Sequence, residues 1–299
     1  MDGILNILKP PGMTSFDVVA YLRGVLKTRK IGHTGTLDPE AVGVLPVCIG
    51  NATKAIEFMT DKDKTYIAEI TLGIETDTQD ATGNIISTKD VNVERCRFES
   101  VLKTFEGKIN QIPPMYSAVK INGRKLYELA REGKTVERKP REVNVYSLKC
   151  IGQRSNVKYL MEIKCSKGTY IRTLCADIGN ELSCGAHMSF LVRTNAGPFD
   201  IGSSIRLSEI RELSDSEKIN ERLISVEKVF EDLKSIILDS DDTKKYLNGV
   251  TVNVTEKPVG NELVRVYASE RGFIALGGLF ESNGEYKLKS GKLFLQSIQ

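Results

Sequence analysis

The chain reads as α+β on three observations. Residues 64–72, 141–150 and 157–165 alternate apolar and polar side chains with a period of two, the pattern of half-buried strands. Apolar residues recur at helical spacing over residues 14–26, 93–105 and 166–182, interspersed with those strands. Beyond Asp239 the character changes to short apolar runs at 250–254, 263–266, 273–279 and 286–288, separated by Gly and Asn turns, which read as a small β module. A length of 299 residues, with 40% apolar and 27% charged, suits one large domain and one small one.

Taken in order, residues 3–8 form a short strand ended by Pro10, Pro11 and Gly12. Thr14 or Ser15 caps a helix with Phe16, Val19, Leu22, Val25 and Leu26 on one face. Residues 32–46, G-H-T-G-T-L-D-P-E-A-V-G-V-L-P, carry three glycines and two prolines and cannot be a regular helix. They hold His33, one of two histidines in the protein, and Asp38, which Pro39 biases toward an extended or turn conformation. Gly32 and Gly35 can take positive φ and let another chain approach the backbone closely. Residues 44–49 then form a buried strand, so a carboxylate on a stiff loop leads into the core. No G-K-[ST] follows, so this is not a phosphate loop.

Residues 52–60 read as a short helix, and in the strand 64–72 Tyr66, Ala68, Ile70 and Leu72 share a face. Tyr66 suits either core packing or a stacking platform for an extruded base. The polar loop T-D-T-Q-D-A-T-G-N at 76–84 places Asp77 and Asp80 as turn-capping carboxylates and lacks the further ligands of an EF-hand. A helix over 93–105 ends at Gly107. The segment 111–133 has a Pro113-Pro114 break, an Asn122-Gly123 turn and a short helix at 125–131, and reads as an excursion from the sheet. Strands 141–150 and 157–165 pair across a loop at 152–156. Next, S-K-G-T-Y-I-R-T-L at 166–174 opens a helix that buries Ile171, Leu174, Ile178 and Leu182, with Tyr170 and Arg172 near its N-terminus. His187 reads as a structural loop histidine, and residues 203–238 as helical and acidic.

Net charge is only +3, but it is unevenly spread: +5 over residues 119–149 and −5 over residues 205–242. Arg23, Lys27, Arg29 and Lys30 add a basic cluster just before the Gly-rich loop. That asymmetry fits one polyanion-facing side and one solvated back. The six cysteines form no C-x-x-C and have no histidine pair at zinc spacing, so no metal is expected. No apolar run approaches a membrane span and the N-terminus lacks a basic region before its apolar residues, so the expected location is the cytoplasm.

The 32–46 string closely resembles the catalytic loop of TruB-type tRNA pseudouridine synthases, G-H-[TG]-G-x-L-D-P-x-A-x-G-x-L-P, with every fixed position met. Residues 9–15 match that family's K-P-x-G-x-[ST]-S motif, and 76–84, 111–133 and 166–174 match further segments. The resemblance is strong over residues 3–195 and rests after 235 on strand pattern and G-F-I-A-L-G-G. It implies a mixed, largely antiparallel sheet with flanking helices in residues 1–234, a thumb insertion at about 111–149 that closes over RNA, and a PUA-like RNA-binding barrel in 235–299. The implied activity is isomerisation of one uridine in the TψC loop of tRNA, without cofactor or metal. The implied partner is the tRNA T-arm stem-loop, met by a monomer needing no guide RNA or protein partner. On that resemblance Asp38 is catalytic, Arg172 pairs with it and keeps it ionised, and Tyr66 stacks on the base. Tyr170 and Leu191 line the uracil pocket, and His33 fills the space the base leaves. Asp80 organises the RNA site, and Lys9 meets phosphate. A rival class, an RNA-folding protein without catalysis, has no use for an acid facing phosphate.

Overall fold

The computed structural model describes residues 1–117, 119–121 and 123–294, so Asn122 of the expected Asn122-Gly123 turn lies outside the described residues. Among these, ten strands form one mixed sheet. Its order is Ile205–Arg206, Gly3–Lys9, Val42–Ile49, Ala186–Ala196, Lys64–Leu72, Lys158–Cys165, Arg141–Ser155 and Gly107–Gln111. Ile31–His33 pairs beside Val42–Ile49, and Phe199–Asp200 beside Ala186–Ala196. Pairing is antiparallel except between Gly3–Lys9 and Ile205–Arg206 and between Val42–Ile49 and Ala186–Ala196.

The apolar pattern explains the layers. Tyr66, Ala68 and Ile70 face a core shared with Phe98, Val101 and Leu102 of helix Arg95–Thr104 and with Ile171, Leu174 and Ile178 of helix Ile171–Glu181. Val42–Ile49 is buried on both faces, which is why it lacks alternation: Leu45, Val47 and Ile49 meet helix Ser15–Leu26, while Val44 and Cys48 meet Ala52, Met59 and Phe230. Thr14 caps helix Ser15–Leu26 in a reciprocal pair with Asp17. Its buried stripe is Ser15, Val18, Val19, Leu22 and Leu26, so Phe16, expected inside, is rotated off that stripe and is 62% exposed.

Other expectations shift. Residues 152–156 are not a loop: the strand runs from Arg141 to Ser155, carrying bulges, before a tight turn into Lys158–Cys165. Residues 203–238 are not continuously helical. They break into the strand Ile205–Arg206, helices Leu207–Asp215 and Val226–Val229, and the strand Ser235–Leu238. Glu217 in the left-handed region interrupts the first helix, while Ile205 pairs with Ile7 and Ile224 with Ile4, so pairing to the first strand overrides helical spacing. Residues 52–60 are a 3-10 turn, Gly50–Ala55, running into a short helix, Ile56–Thr60. His187 lies in a strand rather than a loop, and its Nδ1 is 2.9 Å from the Ile74 carbonyl oxygen.

A second sheet holds, among the described residues, five strands in the order Ser235–Leu238, Glu262–Ala268, Gly272–Ser282, Glu285–Leu293 and Val252–Val254. It curls around Ile236, Tyr246, Val264, Val266 and Leu288, in keeping with a PUA-like module. Leu276 and Phe294 join the core of Ile4, Val44 and Phe230, seating this module against the first sheet. Among the described residues no helix is long and apolar enough to cross a membrane.

Candidate active site

The site forms where Val42–Ile49 and Ala186–Ala196 touch in parallel for only two residue pairs, Val42 with Val192 and Gly43 with Arg193. On the next strand Arg193 faces Tyr66. Gly43, Arg193 and Tyr66 thus lie in a row across three strands. Gly43 has φ +116, and a Cβ there would stand 2.2 Å from the Arg193 carbonyl oxygen, so glycine is required here. Gly32 and Gly35 do not use the positive φ open to glycine; close approach holds at Gly32, where a Cβ would press Ile56 Cδ1 at 2.8 Å, while Gly35 has ordinary room.

The loop that carries Asp38 is tied down from beneath. Lys9, fully buried, donates all three ammonium protons to backbone carbonyls: Pro10 at 2.8 Å, Pro39 at 2.8 Å and Ala41 at 2.7 Å. Burial pulls its pKa down to about 8. Lys9 therefore does not meet phosphate as expected; its donors are spent and its ammonium is out of reach. Ser15 Oγ accepts from the Leu37 amide at 2.9 Å and donates to the Leu37 carbonyl at 3.2 Å. Arg193, 1% exposed, donates to the carbonyls of Val44 at 2.7 Å, Thr36 at 3.3 Å and Gly35 at 3.1 Å, and to the Tyr66 hydroxyl. Two buried cations thus hold five carbonyls of residues 35–44.

Above this floor Arg172 joins two carboxylates. Its Nε lies 3.0 Å from Asp38 Oδ2 and its Nη2 3.2 Å from Asp38 Oδ1, a two-pronged grip. Its Nη1 reaches Asp80 Oδ2 at 3.2 Å and the Thr78 carbonyl at 3.4 Å, and Nη2 also donates to the Tyr116 carbonyl at 2.8 Å. Asp80 is fixed in turn by the Thr78 hydroxyl at 2.7 Å and the Thr82 amide at 3.0 Å. Asp77, by contrast, only closes its own loop on Asn84. The arginine is 7% exposed and Asp38 37%, so Asp38 keeps a side open to solvent. Burial raises the Asp38 pKa above the usual aspartate value; Arg172 pulls against this and Asp80 adds to it. The expected pairing with Arg172 is present, but it offsets burial only in part. Arg172 thus lies between two carboxylates, with buried Lys9 also acting on Asp38 from below.

Around Asp38 the remaining expected residues converge unevenly. Tyr66 and Leu191, 9% and 6% exposed, share one core cluster with Leu37, the residue before Asp38. Tyr170 precedes the Arg172 helix, and Gln111 clamps its backbone, accepting from the Tyr170 amide at 3.0 Å and donating to its carbonyl at 3.3 Å. His33 ends a strand beside Val47; its Nδ1 is buried without a partner, and burial and nearby Arg193 lower its pKa. Sequence reasoning missed Arg193 and Gln111. Arg193 was legible in one respect: in strand alternation it shares the face of Leu191, and an arginine on a core face must be fully hydrogen-bonded. Gln111 gave no signal. Among the described residues no group of three or more His, Cys, Asp or Glu side chains is disposed to hold a metal.

Residues 23–171 match the N-terminal domain model of the TruB family of pseudouridylate synthases, and residues 172–243 match the C-terminal domain model of tRNA pseudouridylate synthase B. The chain is 44% identical over 299 residues to a tRNA pseudouridine synthase B of Clostridium kluyveri, covering 99% of this chain and 100% of that one. This chain belongs to the TruB family. A second member, from Listeria welshimeri, is 51% identical over 83% of this chain and 84% of its own length. Among solved structures, the fold is similar to a chain of an H/ACA RNP bound to a substrate RNA containing 2'-deoxyuridine (TM-score 0.75, 25% identity, 98% of this chain and 85% of that one). It is similar also to a chain of a Cbf5-Nop10-Gar1 complex (TM-score 0.73, 27% identity, 99% and 84%). The two matches meet between Ile171 and Arg172, so Asp38 falls in the first and its arginine in the second.

Proposed function

We propose that this chain is a tRNA pseudouridine synthase that isomerises the uridine at position 55, in the TψC loop, to pseudouridine. The observation that carries the reading is the two-pronged Arg172–Asp38 pair at 3.0 and 3.2 Å, set on a loop whose carbonyls are locked from below. A carboxylate gripped at both oxygens and still partly exposed suits chemistry at a glycosidic carbon.

The target base leaves its stack at a cost of about a few kcal/mol and is held by the Tyr66 ring, which Arg193 fixes through the hydroxyl. Leu191 and Tyr170 line the uracil pocket, His33 fills the space the base vacates, and Asp80 keeps Arg172 aligned. The bond from ribose C1' to uracil N1 breaks, the uracil turns, and C1' bonds to C5; the proton on C5 is released while N1 takes one up. Attack on the sugar and abstraction of a sugar proton both require Asp38 as the anion. The product is an isomer, so the reaction consumes no oxidant or second substrate.

Residues 1–234 carry this chemistry and 235–299 form an RNA-binding module. Acting in the cytoplasm as a monomer, the chain takes the T-arm stem-loop without guide RNA or protein partner, because the basic segment at 119–149 supplies its own clamp. Tritium release from tRNA labelled at uracil C5 tests the reading. The purified chain should release tritium and Asp38→Asn should not, while still binding tRNA within a few fold. Turnover by the variant would overturn the mechanism, and wild-type protein that binds tRNA without releasing tritium would overturn the activity.

A further inference from the structure

Helix Ser15–Leu26 presents a second exposed stripe that the floor of the site does not use. Phe16, Ala20, Arg23 and Lys27 follow one another at spacings of four, three and four residues, so they share a face. Phe16 is 62% exposed, more than any other aromatic residue among those described. The Arg23 guanidinium lies 5.7 Å from its ring centroid, and one of its terminal nitrogens donates to the Ile31 carbonyl at 3.0 Å. Arg23 Nε is buried and has no partner. Beyond the helix, exposed Lys27, Arg29 and Lys30 extend the positive charge; Lys30 touches Asn51 Oδ1 at 3.2 Å. No carboxylate forms an ion pair with Arg23, Lys27, Arg29 or Lys30 among the described residues, and the one acid beside Phe16, Asp17, is engaged by Thr14.

The stripe starts on the helix's first turn, which is packed against the catalytic loop: Ser15, immediately before Phe16, grips Leu37, the neighbour of Asp38. From there it runs about 16 Å along the helix at the usual 1.5 Å rise per residue. An exposed aromatic face, backed by an arginine and continued by unpaired cations, matches an RNA strand: a base on the ring and phosphates along the charges.

We propose that Phe16, Arg23, Lys27, Arg29 and Lys30 form a second RNA track, separate from the thumb, which holds an unpaired nucleotide on Phe16 and the adjoining backbone beside the catalytic loop. The proposal rests on the RNA-modifying reading above and adds a surface to it. The track binds RNA and takes no part in the chemistry.

The test uses the full chain, unmodified tRNA transcript, and three variants: Phe16→Ala, Phe16→Tyr, and Lys27→Gln combined with Arg29→Gln and Lys30→Gln. Phe16→Ala should weaken binding about five- to a hundredfold, the range of one lost stacked base, and Phe16→Tyr should restore it. The triple variant should lower the slope of log affinity against log salt by about 2–3, as for three lost phosphate contacts. Single-turnover rates at saturating RNA should stay within about twofold of wild type, since none of these residues touches Asp38. Wild-type affinity and salt slope in both Phe16→Ala and the triple variant would overturn the track, as would Phe16→Tyr binding no better than Phe16→Ala. A protein in which these variants weaken tRNA binding as described, but whose wild type never releases tritium, would keep the track and discard the isomerase.

Discussion

The floor beneath Asp38 and the thumb segment that rims it are built on opposite terms. In the floor, Lys9, Ser15 and Arg193 are at most 2% exposed and are hydrogen-bonded to loop backbone. In the thumb, the charged partners are surface groups: Arg124 with Glu132, and Lys134 with Glu132 at 2.9 Å. The thumb meets the site through backbone, the Tyr116 carbonyl taking an Arg172 proton, while the Pro113 carbonyl taking one from Arg138 ties the thumb to itself. Buried hydrogen bonds are costly to break and exposed ion pairs contribute little. On the proposed function, the difference teaches that positioning of Asp38 and capture of the RNA are separable. Substitutions in the floor should change rate and stability, and those in the thumb affinity alone.

The sharpest break of that comparison is Asp38→Asn. Turnover should fall roughly 10⁴-fold or more, as for loss of an essential catalytic carboxylate, while thermal stability does not fall. The folded-state pKa of Asp38 is raised, so its ionised form opposes folding at neutral pH, and that cost is relieved as pH drops through the raised value. The amide removes the cost and leaves Arg172 with Asp80. A melting temperature well below wild type would show Asp38 to be structural.

Next is Arg193→Met, which leaves the carbonyls of Gly35, Thr36 and Val44 without a donor. It should cost about 3–5 kcal/mol of stability by chemical denaturation and lower kcat more than it raises KM. Arg193→Lys should recover part of the stability but less of the rate, because an ammonium cannot span carbonyls from two chain segments and the Tyr66 hydroxyl together. Equal loss of affinity and rate would contradict the separation of floor from rim.

A smaller effect is read from pH. The acid limb of kcat should have its midpoint above 3.8, the ordinary aspartate value, since burial raises Asp38. In Arg172→Gln the limb should move further up, because the group that stabilises the anion is gone. A limb unmoved by that change would deny Arg172 its charge-pairing role. Smallest on stability is the thumb: Arg124→Gln with Lys125→Gln should leave the melting temperature unchanged, raise KM and reduce salt dependence by about 1–2 in slope.

How much of this was legible depended on which residues advertise themselves. The alternation of Tyr66, Ala68, Ile70 and Leu72 gave a strand and its buried face, because a period of two has one geometric meaning. The Asp38 loop was legible as a string of fixed residues. Its support was not: Lys9 looks like any basic residue beside a loop, and only the assembled fold shows its three protons taken by carbonyls 1 to 32 residues away. Phe16 misled because helical spacing tolerates a face rotated by one position, and Ser15 took the inward place to reach Leu37. The segment 203–238 misled because its partners are in the first strand, two hundred residues back, where no local pattern reports them.

The pairing of Asp38 with Arg172 spans 134 residues, and the loop's other anchor, Arg193, lies 158 residues beyond Gly35. At a ribosomal pace of about 5–20 residues per second, the aspartate emerges roughly 7–27 s before the arginine that aims it. Lys9 and Ser15 precede Asp38 and reach the loop early, whereas the grips of Arg172 and Arg193 come later. On the proposed mechanism, activity begins only when the strand Ala186–Ala196, carrying Arg193, enters between Val42–Ile49 and Lys64–Leu72. Until then the aspartate has nothing to aim it, and the reaction waits on the chain's own folding.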